Sequence, residues 1–378
     1  MALYQCLILG SPTDPQTSAF SSTFDECLGL FGLLRGRDYT IDRGITVGFS
    51  DTTATVAVFF GADGAEYPEA ARLTKLGVPV VPIVSTASRA SAELPAELRS
   101  INAMFHEPSD AGLRRAVTAA LQCLGLLPAQ RRIFVSYRRE ESAEVALQLF
   151  EAMSARHFDV FLDTHSVSVA ADFQAALWHR LCDSDVLVML DTQGYFKSRW
   201  TTVEWGRAIS KHISMLQLVW PGHTPERESH LATCRKLTEA DFNGTRLTPE
   251  VLADVALELE RVRSISVALR HSNMVGTLRT AIKDLGGSLE GVGPKRSVIL
   301  KLPSGNPLVA YPVVGVPTSV DVHDCIDLSD QRAAAVVYDH LGISKEWSRH
   351  LDWLASQVGG ITWLRSRDAD WQLAEIEM

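Results

Sequence analysis

The sequence predicts an α/β protein: two doubly wound parallel-sheet units of flavodoxin-like arrangement, followed by a small C-terminal α+β module. Three observations carry this. Short apolar runs alternate with helix-period stretches over the first 125 residues, the pattern of strands joined by crossover helices. The alternation breaks at Gly125-Leu-Leu-Pro128-Ala-Gln and then starts again. A second break comes at Gly286-Gly-Ser-Leu-Glu-Gly-Val-Gly-Pro294. A chain of 378 residues has room for two or three domains at ~100–200 residues each. The expected divisions are residues 1–125, 130–285 and 290–378.

In the first unit, residues 4–10 (YQCLILG) read as a strand and 18–34 as a helix. The continuous run TATVAVFFGA at 53–62 suits a strand covered on both faces. A helix over 67–76 leads to VPVVPIVS at 78–85, whose prolines cannot donate to a ladder and point to a sheet edge. A helix over 110–124 closes the unit. In the second unit RRIFVSY (131–137) is a strand, and 141–156 is a helix with Val145, Leu149 and Met153 at i, i+4 spacing. FDVFLD (158–163), a helix at 171–182, SDVLVMLD (184–191), a helix at 201–212 and SMLQLVW (214–220) continue the alternation. Residues 221–247 are polar and read as loops, and 249–285 as one or two helices. In the tail, the glycine-rich stretch from 286 reads as a linker, and SVILKLP and LVAYPVVGV as strands. DQRAAAVVYDHLGI and SKEWSRHLDWLASQV read as helices and ITWLRS as a closing strand. Trp347, Trp353, Trp363 and Trp371 fall in this module, where a small core accounts for them more simply than a ligand pocket or an interface.

The 36 Lys and Arg against 45 Asp and Glu leave a net charge of −9, which argues against a surface built to grip nucleic acid. The apolar runs stop well short of the ~20 residues a membrane helix needs. MALYQCLILGSPTD has no basic stretch before its apolar residues, so it reads as a buried strand rather than a signal peptide. Cys6, Cys27, Cys123, Cys182, Cys234 and Cys325 are scattered with no Cys-x-x-Cys pair, which removes a zinc knuckle or thioredoxin-like motif. Single core cysteines fit a reducing compartment, and a cytoplasmic location is expected.

Ligands of open parallel sheets bind outside the C-terminal ends of the strands. Three polar segments of the second unit fall there: Ser136–Glu141, Asp163–Phe173, and Asp191–Trp200 leading into the helix with Glu204. Arg138 and Arg139 have the forked donors that suit phosphate, and Tyr137 and Trp200 are rings able to stack on a base. Each residue also has a plainer explanation. The arginines stand beside Glu140 and Glu141 and make solvated ion pairs. Glu204 complements a helix dipole, and Trp200 and Trp205 pack. Spacing alone names no reaction. A weak internal repeat is also visible: Glu69-Ala-Ala-Arg72 and Glu204-Trp-Gly-Arg207 each open a helix before a strand.

Residues 131–220 taken together resemble a Toll/interleukin-1 receptor (TIR) domain. Phe134-Val-Ser-Tyr137-Arg-Arg139 resembles its opening strand, Phe158–Asp163 its second strand, and His165–Phe173 its BB loop. Ser184–Leu190 resembles the third strand, ending here in Asp191-Thr192, and Ser198-Arg-Trp200-Thr-Thr-Val-Glu204-Trp the S-x-W-x-x-x-E-L signature. Val169-Ala170-Ala171 stands where the BB loop usually carries Gly or Pro. The resemblance implies cleavage of the nicotinamide–ribose bond of NAD⁺, with NAD⁺ as substrate and no separate cofactor or metal. Glu204 takes the catalytic role; Tyr137, Arg138 and Arg139 line the nucleotide site, and Trp200 and Phe173 border it. It further implies a bacterial antiphage immune effector, self-association through the TIR domains and an unidentified activator. Membrane and nucleic-acid partners are not expected. Non-catalytic members make a signalling scaffold the alternative, and a nucleotide-processing site around Glu69 is a third reading. The substrate phosphates are expected on an island of Arg131, Arg132, Arg138 and Arg139.

Overall fold

In the computed structural model, three five-stranded sheets among the described residues are strung along one long helix. The structure describes all residues but 1, 3, 31–32, 46–52, 64–66, 100, 102, 106–109, 125, 127–130, 157, 163–170, 228–229, 293–295, 330–331 and 378.

The first sheet holds β1 (Tyr4–Gly10), β2 (Tyr39–Arg43), β3 (Ala54–Phe60), β4 (Val80–Val84) and β5 (Met104–Phe105). They run parallel in the order β2-β1-β3-β4-β5, the flavodoxin-like winding. Its helices are α1 (Asp14–Leu30), α2 (Pro68–Lys75), the one-turn α3 (Ala90–Glu93) and α4 (Asp110–Cys123). Every residue of β3 is buried, as its unbroken apolar run requires. The first helix begins at Asp14 rather than 18. Thr13 and Gln16 close a capping box there, with Gln16 Oε1 accepting from Thr13 N at 2.8 Å and Thr13 Oγ1 from Gln16 N at 3.3 Å. β4 is second from the edge instead of outermost. Pro82 is tolerated because β5 is two residues long and pairs only with Ile83 and Val84.

The second sheet repeats the winding. β6 (Arg132–Ser136), β7 (Asp159–Leu162), β8 (Val186–Asp191), β9 (Met215–Val219) and β10 (Ala232–Lys236) lie parallel in the order β10-β9-β8-β6-β7. α5 (Arg139–Ser154), α6 (Ala171–Asp183) and α7 (Arg199–Ser210) connect them. The polar stretch 221–247 is not all loop. It holds the edge strand β10 and a small hairpin of β11 (Phe242–Asn243) and β12 (Arg246–Leu247).

Residues 249–285 form one helix, α8 (Pro249–Asp284), 36 residues long and so ~54 Å. Thr248 caps it, accepting from Val251 N. Its first half packs Val251, Val255, Leu259 and Val262 into the core of the second sheet. Its second half packs Val275, Leu278 and Ile282 into a core shared by the first and third sheets. A buried ionic cluster sits between those halves. Glu260 accepts from Arg131 at 2.6 Å and Arg263 at 3.0 Å, and Arg263 Nε reaches Asp185 at 2.8 Å.

The third sheet comprises β13 (Ser288–Val292), β14 (Val298–Lys301), β15 (Pro307–Pro312), β16 (Ala333–Tyr338) and β17 (Ile361–Arg365), in that order. The first three are antiparallel and the last three parallel, joined and closed by α9 (Ser319–Ser329), α10 (Lys345–Gln357) and α11 (Ala369–Glu377). Two expectations are corrected here. The run AAAVVY is a central strand, not a helix, because cores cover both its faces: Ala335 and Val337 face one, Ala334 and Val336 the other. The glycine-rich stretch after 286 is the edge strand β13 rather than a linker. The tryptophans are also not a common core, since Trp353 and Trp371 are 56% and 49% exposed. Among the described residues, no helix is long and apolar enough to cross a membrane.

Candidate functional site

The C-terminal rim of the second sheet is assembled from the end of β6, the start of α5, the loop after β8 and helix α7. Ser136 ends β6 and is buried, and its hydroxyl donates to Glu204 on α7. An ionised carboxylate only accepts, and a serine has one hydrogen to give. The Tyr195 hydroxyl, 2.6 Å from Ser136 Oγ, is therefore the donor in that second bond. The result is a relay from Tyr195 to Ser136 to Glu204, with the three residues 0%, 1% and 3% exposed. Burial first, and the Glu204 charge after it, hold the Tyr195 hydroxyl well above its ordinary pKa. Thr201 fixes the loop to the helix by donating to the Tyr195 carbonyl.

Arg138 precedes α5 and turns toward the same loop. Its Nη1 donates to the Gly194 carbonyl at 3.1 Å and lies 3.1 Å from Glu141 Oε1; its Nη2 meets Glu140 at 2.6 Å. Glu141 in turn accepts from Gly194 N at 2.9 Å. Burial works against the Glu141 charge, yet the Thr192 hydroxyl, the Gly194 amide and Arg138 together outweigh it and hold the carboxyl below the usual range. Any side chain at Gly194 would run into Arg138 Nη1 and Glu141 Oε1, so the clamp requires glycine for space. The loop after β8 thus joins both halves of the rim: Gly194 holds the arginine clamp and the adjacent Tyr195 the carboxylate relay.

The other expected residues are more dispersed. Tyr137 packs against the sheet face that carries α8, whereas Trp200 packs on the opposite face beside the Phe134 and Tyr195 cluster. Arg139 lines a cleft of about 430 Å³ with Glu140, Glu141, Trp220 and Phe242, and Glu204 is not among the described residues of that lining. The side chain of Phe173 and residues 163–170, which hold most of the expected BB loop, lie outside the described residues. The arginine island is corrected. Arg131 and Arg132 stand at the N-terminal end of β6, four residues or ~13 Å of strand from Ser136. Arg131 is bound to Glu260 there and Arg132 to Asp183.

Sequence reasoning missed Ser136 and Tyr195 as partners of Glu204, although both sit in the polar segments it singled out. It also missed Asp191, the wholly buried last residue of β8. Burial raises this carboxyl against the opposing pull of Gln217, which donates to it at 2.7 Å, and of His223, whose Nε2 lies 3.3 Å away. Among the described residues no group of three or more His, Cys, Asp and Glu is placed to hold a metal ion.

The family model for the TIR domain matches residues 133–251, a stretch that takes in the second sheet but for Arg132, the first residue of β6. The chain therefore contains a TIR domain there. No curated protein matches the chain. Among solved structures, the C-terminal domain of glucosamine-fructose-6-phosphate aminotransferase from Francisella tularensis aligns at 9% identity and a TM-score of 0.22, over 71% of this chain and 85% of that one. A PurR family transcriptional regulator from Vibrio parahaemolyticus aligns at 17% identity and a TM-score of 0.19, over 69% of this chain and 94% of that one. Scores of this size define no shared fold.

Proposed function

We propose that this chain is an NAD⁺ glycohydrolase whose TIR domain cleaves the nicotinamide–ribose bond, acting as an antiphage effector once its TIR domains associate. The observation that carries the reading is the buried Glu204, held by Ser136 at the C-terminal rim of the sheet. The bond between C1′ and the cationic nicotinamide nitrogen breaks with its electron pair going to nitrogen, so the leaving group departs neutral and needs no acid. An oxocarbenium ion forms at C1′. A carboxylate in surroundings of low dielectric stabilises that charge strongly. Water then adds to C1′ and loses a proton to solvent, giving ADP-ribose. Tyr195 and Ser136 fix the carboxylate's orientation before substrate arrives, so little reorganisation remains for the reaction itself. The BB loop, His165–Phe173, of a neighbouring copy completes the site in the associated form.

The test is nicotinamide release by concentrated protein, read by chromatography. Wild-type protein releases it and Glu204→Gln does not. Full activity in Glu204→Gln would remove Glu204 from the mechanism. The second reading, a non-catalytic scaffold, is favoured by the engagement of Arg138 with Gly194, Glu140 and Glu141 rather than with open solvent. Inactivity of wild-type protein in every associated form, with TIR self-association intact, selects it.

A further inference from the structure

A groove of about 1190 Å³ runs between the TIR domain and the third sheet, away from Glu204. One wall is α6 and the end of α7, with Trp178, His179, Arg180 and Arg207. The other is made of the loops after β15 and β16 and the start of α10, with Thr318, Ser344, Lys345, Trp347 and Arg349. It therefore lies outside the carboxyl ends of two neighbouring parallel strands, where open α/β sheets receive ligands.

Three properties of the lining point to one ligand chemistry. The first is charge. Five Arg and Lys side chains face three carboxylates, Asp159, Asp183 and Glu346. Asp183 is taken up by Arg132, and Asp159 stands 4.0 Å from Arg180. Arg207, Lys345 and Arg349 have no carboxylate partner among the described residues. On a chain of net charge −9, this concentration of cations is local. The second is flat rings. His179 from one wall and Trp347 from the other are in tilted contact with centroids 5.4 Å apart, and Trp347 is followed by His350 at 5.1 Å. Trp347 is fixed by its Nε1, which donates to the Pro317 carbonyl at 3.0 Å. Arg207 stacks on Trp178 at 3.9 Å. The third is an unmet donor. Arg132 is 8% exposed and lines the groove, yet its Nε has no hydrogen-bond partner among the described residues. Gly315 lets the opposite loop come this close. Its φ is +113°, and a Cβ there would lie 2.7 Å from Arg132 Nη2. The N-terminus of α10, capped by Ser344 accepting from Trp347 N at 3.2 Å, adds its positive dipole end to the same wall.

We propose that this groove binds a nucleotide, its phosphates on Arg132, Lys345, Arg349 and the start of α10, and its base against Trp347. Cations set beside an aromatic ledge are what a phosphorylated, ring-bearing molecule requires. A macromolecular anion would need basic surface continuing beyond the groove, whereas the adjoining exposed surface of α10 carries Asp352 and Trp353. The site is independent of the NAD⁺ reading, and its test does not pass through nicotinamide release.

The test is equilibrium dialysis of the full chain with labelled ADP, with adenosine and inorganic phosphate as competitors. ADP binds and is displaced by neither competitor alone at equal concentration. Lys345→Glu/Arg349→Glu raises the dissociation constant at least about tenfold with an unchanged melting temperature, and so does Trp347→Ala, while Trp347→Phe retains binding. Arg138→Ala leaves this binding in place. If the double variant does not fold, Arg349→Ala and the two Trp347 variants give the same reading. ADP binding that survives the groove variants, that is lost through Arg138→Ala instead, or that is absent at millimolar ADP overturns the proposal. Displacement by phosphate alone does so as well, since it reduces the groove to a simple anion site.

Discussion

In the first sheet Ser11 follows β1 and its Oγ meets the Tyr67 hydroxyl at 2.6 Å; in the second, Ser136 ends β6 and meets the Tyr195 hydroxyl at 2.6 Å. Each tyrosine lies between the third strand of its sheet and the following helix, and each of those helices carries a glutamate, Glu69 on α2 and Glu204 on α7. The tetrapeptides Glu69–Arg72 and Glu204–Arg207 therefore fall on equivalent helices. What differs is burial and partner. Ser11 is exposed and Tyr67 half-buried, whereas Ser136 and Tyr195 are closed off. Glu69 accepts from the backbone of Ile45 at 3.2 Å, tying down the chain after β2, while Glu204 is held by the serine of the relay. The same topology and the same serine–tyrosine pair thus give a wet loop anchor in one unit and a desolvated carboxylate in the other. Water screens the first, and only the second has the low dielectric that makes a carboxylate a strong stabiliser of nearby positive charge.

The largest expected difference is catalytic. Glu204→Gln lowers nicotinamide release by ~10²–10³-fold, the scale for losing one preorganised electrostatic group. Glu69→Gln leaves release at the wild-type rate. Equal losses from the two substitutions, measured on folded protein at one concentration, would erase the distinction between the units. Next comes the ionic cluster that ties the second unit to α8. Arg263→Met leaves Glu260 and Asp185 short of a partner in the interior and costs about 3–5 kcal/mol, seen as a large drop in thermal midpoint. Arg43→Gln, which breaks an exposed pair with Asp14, costs under about 1 kcal/mol. A midpoint for Arg263→Met within a degree of wild type would show that the cluster contributes little. The serines come third. Ser136→Ala strands the buried Tyr195 hydroxyl and removes a donor from Glu204, at about 1–3 kcal/mol. Ser11→Ala changes stability by less than about 0.5 kcal/mol, because water replaces its bond. Matching effects in urea unfolding would contradict the contrast in burial.

What the sequence disclosed follows the same physics. β3, β6, β8 and β9 are legible because they are buried along their whole length and read as largely apolar runs. β2 and β10 are polar edge strands, YTIDR and ATCRK, with one neighbour each and little apolar pattern to find. β16 was hidden by its alanines, whose helix propensity is overridden by packing between two cores. Glu204 and Arg138 are legible from their place at strand ends. Ser136 as the partner of Glu204 is not, since the two stand 68 residues apart and meet only through the winding order. The expected arginine island failed for a related reason. Residues adjacent in sequence can lie at opposite ends of a strand, and Arg131 and Arg132 precede β6 or open it while Arg138 and Arg139 follow it. Arg132 serves the groove instead, and Arg207 there lies one turn of α7 beyond Glu204.

The smallest effect concerns the contact between the TIR domain and the third sheet. Lys211, just after α7, meets Asp339, just after β16, at 3.0 Å, and Arg367 reaches the same carboxylate at 3.2 Å. Burial disfavours the Asp339 charge, but Lys211 and then Arg367 outweigh it and hold the carboxyl below its ordinary range. A carboxyl with a folded pKa below the unfolded value of ~3.9 stabilises the fold fully above that value. It loses the contribution as pH falls through the folded pKa, because the unfolded chain then binds more protons than the folded one. The difference in melting temperature between wild type and Asp339→Asn is therefore flat above about pH 5 and shrinks below about pH 4. A wild-type advantage over Asp339→Asn that persists undiminished to pH 3 would mean that this carboxylate does not hold the seam through its charge.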